Sequence, residues 1–272
     1  SFAEFADHKH INSQLPADGQ QRLFLQGAFD EFITSGGFPE VIGLEKSLRV
    51  KIHQEYFESV LFRDLIERYD ISHPRAVVDL ARKLLENISS MYTLNSLTGF
   101  LKAFGYNVPK TVVSEYLKWF EDAYFLYTVR LFDASFSRSN ANPKKVYCVD
   151  HALVRSVTSG ILVNSGHILE NIVFVALRRI YPEIFYYKTR ANQEIDFIIK
   201  NHSGEIMIYQ VCESLANPST KQREINALQH AMAELSLSIS YLITKYEEDK
   251  IQVKSGIIEV LPAWRFLLEL DS

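Results

Sequence analysis

The sequence predicts an α/β protein, α+β over its whole length, with a helical first part and a helix-covered sheet in the second. Apolar residues recur at the three-to-four-residue spacing of amphipathic helices through most of the first half of the chain. Helical patterns then alternate with short apolar runs typical of strands, which predicts a mixed sheet. The 272 residues, 47% of them hydrophobic, are sufficient for a sizeable buried core.

Two breaks in the pattern divide the chain into three predicted segments. Residues 1–73 are expected to be mainly helical. Residues 74–142 follow the order of a helix-turn-helix with a wing, since three helical patterns precede strands and Pro109 suits the first position of the third helix. The polar stretch NANPKK, residues 140–145, lies near the start of the last segment, residues 143–272, in which strands and helices interleave.

The third helix of the predicted winged helix is the element that would enter a nucleic-acid groove. It would present four side chains to nucleic acid: Lys110, Thr111, Ser114 and Lys118. Glu115, Glu121 and Asp122 offset the two lysines and weaken the attraction to phosphates that such binding needs. Two interpretations of this segment therefore stay open, namely binding to DNA or RNA and a structural or protein-contacting role.

Composition argues against several classes of function. The net charge of -4 and the pI of about 6.1 give no bulk positive field that would draw the chain to nucleic acid or anionic lipid. The two cysteines lack CxxC spacing, and neither GxxxxGK[ST] nor GxGxxG occurs, so a zinc knuckle and a phosphate loop for nucleotides are not expected. The sequence has no apolar run that could span a bilayer and no signal-peptide pattern, which predicts a cytoplasmic protein without a membrane partner.

Asp196 is the most informative acid, because it lies within an apolar strand, where an unpaired carboxylate is costly without a partner or a metal ion. On the next predicted strand, Gln210 and Cys212 are two residues apart and face one side, and a short loop places Gln210 opposite Asp196. Glu170, on a predicted helix, can complete a cluster, and its neighbour Asn171 can hydrogen-bond a backbone group. Metal-dependent phosphodiester cleavage needs oxygen ligands around a divalent ion, so a Mg²⁺ site would use Glu170, Asp196 and Gln210.

The order of these residues resembles that of the restriction-endonuclease-like nucleases, which place an acid on a helix, an aspartate on a strand and Glu/Gln-x-Lys on the adjacent strand. The resemblance implies a restriction-endonuclease-like mixed-sheet domain over residues 143–272, with four residues at the catalytic positions: Glu170, Asp196, Gln210 and Cys212. Cys212 departs from the pattern, because a neutral thiol cannot supply the fixed positive charge of lysine. Lys188 or Lys200 could supply that charge from another position.

Eight stretches, taken together, resemble the C-terminal half of a prokaryotic AAA-type ATPase family that carries the domain of unknown function 4143. They are SFAEF, SGGFPEV, YFESVLFRDLIERY, YCVDHAL, LENIVFVAL, EIDFII, YQV followed by KQREINAL, and IIEVLPAWRFLL. The resemblance implies an N-terminal ATPase domain that precedes this chain, residues 1–73 as the linker after it, then a winged helix and a nuclease-like domain. ATP is accordingly expected only in the preceding domain, and this chain is expected to need no cofactor unless Mg²⁺ serves an active nuclease site.

Three functions are consistent with these observations. The first is a regulatory or nucleic-acid-binding region of an ATPase, with a degenerate nuclease-like fold that has no activity of its own. The alternative is a Mg²⁺-dependent nuclease that acts on DNA or RNA. The third is a protein-interaction or oligomerisation module, so the expected partners are DNA or RNA, the ATPase domain, another protein or a second copy of the chain.

Overall fold

Helices dominate the first half of the chain and strands the second in the computed structural model, which describes residues 1–158, 164–201 and 203–271. The helices are α1 (Phe2–His8), α2 (Gly19–Ser35), α3 (Lys46–Ser59), α4 (Pro74–Glu86), α5 (Leu94–Ala103), α6 (Lys110–Asp122), α7 (Phe136–Ala141), α8 (His151–Val157), α9 (Ser165–Ile180), α10 (Pro218–Leu235) and α11 (Ala263–Asp271). A short 3-10 turn covers Pro39–Val41, and a π-helical segment, Val60–Glu67, continues α3. Among the described helices, none combines the length and the apolar character needed to span a bilayer.

A single mixed sheet organises the described strands. They are β1 (Met91–Tyr92), β2 (Leu126–Leu131), β3 (Lys144–Cys148), β4 (Ile184–Lys188), β5 (Glu194–Lys200), β6 (Ile206–Val211), β7 (Ile239–Thr244), β8 (Asp249–Val253) and β9 (Gly256–Pro262). Their order across the sheet is β1-β3-β2-β4-β5-β6-β7-β9-β8. The pairs β2–β4, β6–β7 and β7–β9 are parallel, and the others are antiparallel. The predicted α/β class with a mixed sheet is therefore confirmed.

The sheet passes through the boundary predicted between residues 142 and 143. Strand β3, from the third predicted segment, lies between β1 and β2, which belong to the second, and pairs antiparallel with both. Strand β2 then pairs parallel with β4, with Arg130 opposite Phe185. The second and third segments therefore share one continuous sheet. The polar stretch NANPKK contains the last two residues of α7, a two-residue turn at 142–143 and the first two residues of β3.

Aromatic side chains attach the N-terminal helices to the rest of the core. Phe2 and Phe5 of α1 are buried against Phe32 of α2, with ring centroids 5.6 and 5.4 Å apart. Phe32 also packs against the ring of His151, at the start of α8, and its carbonyl oxygen accepts a hydrogen bond from His151 Nε2 at 2.9 Å. The predicted helical segment 1–73 is thus helical through much of its length and is packed against the second half of the chain.

The turn after α2 depends on close contact between two glycines and one carboxylate. The Gly37 N–H donates to Asp150 Oδ2 at 2.6 Å, while Asp150 Oδ1 accepts from the N–H of Ala152 at 2.7 Å and so caps α8. Gly36 has φ +85° and ψ -177°, a conformation that is open essentially to glycine alone. A Cβ on Gly36 would lie 2.5 Å from Asp150 Oδ1, so this carboxylate also needs a residue without a side chain there.

Gly36→Ala is therefore expected to lower the free energy of unfolding by about 2–4 kcal/mol, since it combines backbone strain with displacement of a hydrogen-bonded carboxylate. Urea denaturation measures the change. Gly27→Ala is the matched control, because Gly27 lies in α2 with nothing within 4 Å of its Cβ position. Alanine in a helix interior is favoured by about 0.5–1 kcal/mol, so the control should gain stability. Similar effects of the two substitutions would contradict this account of the turn.

Candidate functional site

Lys145 of β3 is the centre of a buried cluster of charged side chains. It is only 2% exposed, and its Nζ lies 2.8 Å from Glu170 Oε1 and 2.8 Å from Asp196 Oδ1. Glu194 Oε1, at the edge of the cluster, lies 2.7 Å from the same Nζ. Three carboxylates from α9 and β5 thus surround one ammonium group, and we refer to Lys145, Glu170, Glu194 and Asp196 as the lysine cluster.

The local structure of β3 and α9 positions two members of the lysine cluster. Alternation along β3 turns Lys145 and Tyr147 to the same face, and the Tyr147 hydroxyl donates to Glu170 Oε1 at 2.7 Å. Asn171, fully buried beside Glu170, accepts from the Cys148 N–H at 2.7 Å and donates to the Cys148 carbonyl at 3.0 Å. The predicted backbone hydrogen bond of Asn171 is therefore confirmed, and it fastens α9 to β3 next to the lysine.

The β5–β6 hairpin positions Asp196 beside Gln210. The pairing of Phe197 with Tyr209 places Asp196 and Gln210 opposite each other one step further along. The Asp196 N–H donates to Gln210 Oε1 at 3.1 Å, and Asp196 Oδ2 accepts from the Val211 N–H at 2.9 Å. The predicted register, with Gln210 opposite Asp196, is confirmed.

A second set of polar contacts continues from Gln210 to the surface. Gln210 Nε2 donates to Glu224 Oε2 of α10 at 2.9 Å, and Arg223 Nη2 donates to the other oxygen, Glu224 Oε1, at 2.6 Å. Glu224 is buried, whereas the Arg223 side chain is largely exposed. Both ends of the Gln210 amide are therefore hydrogen-bonded: its oxygen accepts from the Asp196 N–H and its nitrogen donates to the Glu224 carboxylate.

Burial and crowding of acids change the protonation of the lysine cluster. Burial, followed by the charge of Asp196, raises the pKa of Glu170 to about 8, although Lys145 and Tyr147 both act in the opposite direction. Burial alone would lower the pKa of Lys145, but the carboxylates of Asp196 and Glu170 outweigh it and hold that pKa well above its ordinary value. The cluster at neutral pH therefore contains a charged ammonium and a Glu170 carboxyl that retains its proton.

Lys188 and Lys200 were predicted as substitutes for the lysine that the nuclease pattern has at position 212. A different lysine, Lys145, lies beside the acids. Lys200 is exposed at the end of β5, and Lys188 lies on β4 opposite Glu194. Among the described residues, Lys145 is the lysine that forms ion pairs with Glu170 and Asp196. The alternation in KKVYC shows that Lys145 and Tyr147 share a face, but it does not show that this face is the buried one.

Cys212, predicted at the position of the nuclease lysine, lies at the margin of the cluster region. It is half-buried, and its Sγ donates to the Ser214 carbonyl at 3.2 Å. Burial raises the pKa of the thiol, so it is neutral at physiological pH and carries no charge toward the acids. The positive charge beside Glu170 and Asp196 comes from Lys145.

The predicted Mg²⁺ ligands are close together, but their oxygens do not fit a metal ion. Glu170 Oε1 accepts from Lys145 and Tyr147, both Asp196 oxygens are hydrogen-bonded, and the Gln210 oxygen accepts from a backbone N–H. Within residues 1–158, 164–201 and 203–271, no group of three or more His, Cys, Asp and Glu side chains is arranged to hold a metal. The lysine ammonium thus takes the place that a cation would need among Glu170, Asp196 and Gln210.

The residues predicted to contact nucleic acid lie on a different face of the molecule. They are all exposed on α6: Lys110, Thr111, Ser114 and Lys118. All of them except Thr111 line a groove of about 380 Å³ between α6, the residues around the start of α5, and the turn before β3. We call it the α6 groove.

Two uncharacterized proteins are similar to this chain. One, from Methanocaldococcus jannaschii, is 29% identical over 278 residues, which covers 98% of this chain and 62% of that protein. The other, from Haemophilus influenzae, is 27% identical over 214 residues, which covers 78% of this chain and 50% of that protein. This chain therefore spans between half and two thirds of the length of these relatives. No solved structure is significantly similar to it.

Two families match the chain in succession. Residues 165–266 match Domain of unknown function (DUF4143), which confirms the domain predicted from the sequence stretches. Residues 26–161 match Domain of unknown function (DUF8612), and the two matches meet beyond β3 rather than at the predicted boundary at residue 142. Because the match to residues 26–161 covers half of the 272 residues, the chain belongs to the family Domain of unknown function (DUF8612) and carries a DUF4143 domain after it.

Proposed function

We propose that this chain is a regulatory or nucleic-acid-binding region in which Lys145 closes a nuclease-like site, so that the chain cleaves no nucleic acid. The observation that carries this proposal is the lysine cluster itself. The ammonium of Lys145 bonds the two acids, Glu170 and Asp196, that a divalent ion would need. Mg²⁺ would have to displace this ammonium before the two acids could coordinate it and generate a metal-bound hydroxide.

Burial adds a second reason to expect no cleavage. Glu170 and Asp196 are 7% and 6% exposed, whereas an active nuclease must bring a phosphodiester within reach of its carboxylates. The retained proton on Glu170 also removes one of the negative charges that would attract a metal ion. The acids and the lysine therefore support the fold as a compensated ionic group.

The wider context that we propose is an ATPase-linked protein. The matched relatives are longer than the chain, which leaves room for a further domain in them. The order α4-β1-α5-α6-β2-β3, with β3 paired between β1 and β2, supports a winged-helix arrangement for this part of the chain. In this proposal β3 serves both parts, because it completes the winged helix and also carries Lys145 into the nuclease-like site.

A Mg²⁺-dependent nuclease is the second candidate, and one observation favours it. Lys145 Nζ lies 2.8 Å from both Glu170 and Asp196, so the amine that Cys212 cannot replace is present in the site. In that case the Lys145 ammonium would lie beside the phosphate of the substrate, and Glu170 and Asp196 would be free to bind the metal ion. The two candidates differ in one measurable property, the cleavage of nucleic acid.

A cleavage assay with Mg²⁺ or Mn²⁺ and plasmid, single-stranded DNA or RNA separates the two candidates. We expect no cleavage above the level of the Asp196→Ala variant, because the carboxylates are bonded to Lys145. Asp249→Ala, which removes an exposed acid on β8, is the control for a general effect of charge. Metal-dependent cleavage that Asp196→Ala abolishes and Asp249→Ala preserves would overturn the proposal and establish the nuclease.

A further inference from the structure

We propose that the α6 groove binds the sugar-phosphate backbone of single-stranded nucleic acid. This inference rests on the nucleic-acid-binding role proposed above and names the class of partner and the site. The groove has two walls, with α6 on one side and residues 93–95, 140–142 and 144 on the other. Its volume of about 380 Å³ suits a segment of one strand rather than the width of a duplex.

Positive charge is concentrated in the α6 groove although the whole chain has a net charge of -4. Lys110 and Lys118 are eight residues apart on one side of α6, about 12 Å along the helix, and Lys144 comes from the opposite wall. Within the described part of the chain, none of these three ammonium groups forms an ion pair with an acid. They are therefore available to bind successive phosphates.

The acids that seemed to cancel these lysines in the sequence lie elsewhere or are engaged. Glu115 and Asp122 are not among the residues that line the groove. Glu121 does line it, but its Oε1 accepts hydrogen bonds from both the backbone N–H and the hydroxyl of Thr128. The helix thus presents its lysines to the groove and turns two of its three acids away from it.

Tyr92 supplies an independent indication of a ligand in the groove. It is one of the lining residues and is only 8% exposed, yet its hydroxyl has no hydrogen-bond partner among the described residues. The Thr128 hydroxyl lies near that of Tyr92 and donates its own proton to Glu121. Burial raises the pKa of Tyr92, so the group remains a donor, and an unpaired buried donor costs about 1–3 kcal/mol. A side-chain movement in the groove would open this enclosed hydroxyl to a phosphate oxygen, which would accept from it and remove that cost.

An exposed aromatic side chain on α7, the helix whose last residues line the groove, favours a single strand as the ligand. The Arg130 guanidinium lies over this ring, 5.5 Å from its centroid. Phe136 is 72% exposed at the first position of α7, and the last two residues of that helix, 140 and 141, line the groove. Proteins that bind single strands combine a positively charged groove for the backbone with aromatic side chains on which bases stack. Duplex bases are already stacked and cannot use such a ring in the same way.

Fluorescence anisotropy of labelled oligothymidine and oligouridine of about 20 nucleotides, and of a duplex of equal length, tests the inference with the whole chain. We expect single strands to bind more tightly than the duplex, with a log–log salt slope of about -2 from three lysine–phosphate contacts. Lys110→Gln, Lys118→Gln and Lys144→Gln should each weaken binding about fivefold, and the triple variant should lose most of the salt slope. Lys51→Gln, an exposed lysine on α3, is the control and should bind as the unmodified chain does.

Tyr92→Phe gives a readout that folding defects cannot imitate. Because the variant removes an unpaired hydroxyl, we expect weaker binding together with unchanged or higher stability. Tighter binding to the duplex, no binding at about 50 mM salt, or full binding by the triple lysine variant would each overturn the inference. Groove-dependent binding accompanied by cleavage would refute only the closed site, whereas neither cleavage nor binding would refute only the groove.

Discussion

Replacing Lys145 by methionine is expected to lower the free energy of unfolding by about 3–5 kcal/mol, because the change leaves the buried Asp196 carboxylate without its compensating charge and Glu170 without a hydrogen bond. Methionine keeps much of the length of the lysine side chain, so loss of packing contributes little. Glu170 and Asp196 lose hydrogen bonds of 2.8 Å from the ammonium. Glu194 also loses its contact, but it is more exposed and can turn toward water. Urea denaturation with linear extrapolation measures the change.

Lys144→Met is the matched control for this substitution. It alters the preceding residue of the same strand, and Lys144 lines the α6 groove without forming an ion pair in the described structure. A substitution of this kind away from a buried network should change stability by no more than about 0.5 kcal/mol. If Lys145→Met and Lys144→Met had similar effects, the lysine cluster would have no special role in the stability of the fold.

Glu170 is expected to lower the free energy of unfolding as pH rises from about 5 to about 8. The folded-state pKa of Glu170, about 8, lies above its ordinary value of 4.5. Between these two pH values the folded chain holds a proton that the unfolded chain has released, so rising pH favours unfolding. Each pKa unit corresponds to about 1.4 kcal/mol, so the contribution over this range approaches about 4 kcal/mol.

Glu170→Gln isolates this contribution, because glutamine has the shape of the protonated carboxyl and cannot ionise. Other groups, including the buried His53 and His151, whose pKa values are lowered by burial, titrate in both proteins and cancel in the comparison. The variant should therefore gain stability relative to the unmodified chain as pH rises, measured by urea denaturation at several pH values. Parallel stability curves for the two proteins would show that Glu170 is ionised in the folded state at neutral pH.

The sequence was sufficient to predict the contacts that depend on short-range geometry. The facing positions of Asp196 and Gln210 follow from the two-residue period of strands and from a short loop between them. The backbone contact of Asn171 follows from an amide on the buried side of a helix. Lys145 could not be found in this way, because it lies 25 residues from Glu170 and 51 from Asp196 in the chain. Its position depends on how β3 packs against α9.

Linker-like composition around residue 142 did not predict that the sheet continues across this position. NANPKK is polar and contains a proline, which is typical of a linker, yet it leads directly from α7 into a strand between β1 and β2. The parallel pairing of β2 with β4 then joins the two halves, and this pairing leaves no local signal in either strand. The two family matches meet between residues 161 and 165, which lies beyond this polar stretch.

The claim that Lys145 compensates the acids of the lysine cluster is tested most directly by a double-mutant cycle on the free energy of unfolding. The measurement compares Lys145→Met in the unmodified chain with Lys145→Met in a chain that already carries Glu170→Gln and Asp196→Asn. The predicted loss of about 3–5 kcal/mol should shrink to less than about 1 kcal/mol when both acids are neutral. An equal loss in the two backgrounds would contradict the account, because it would mean that the lysine acts independently of Glu170 and Asp196.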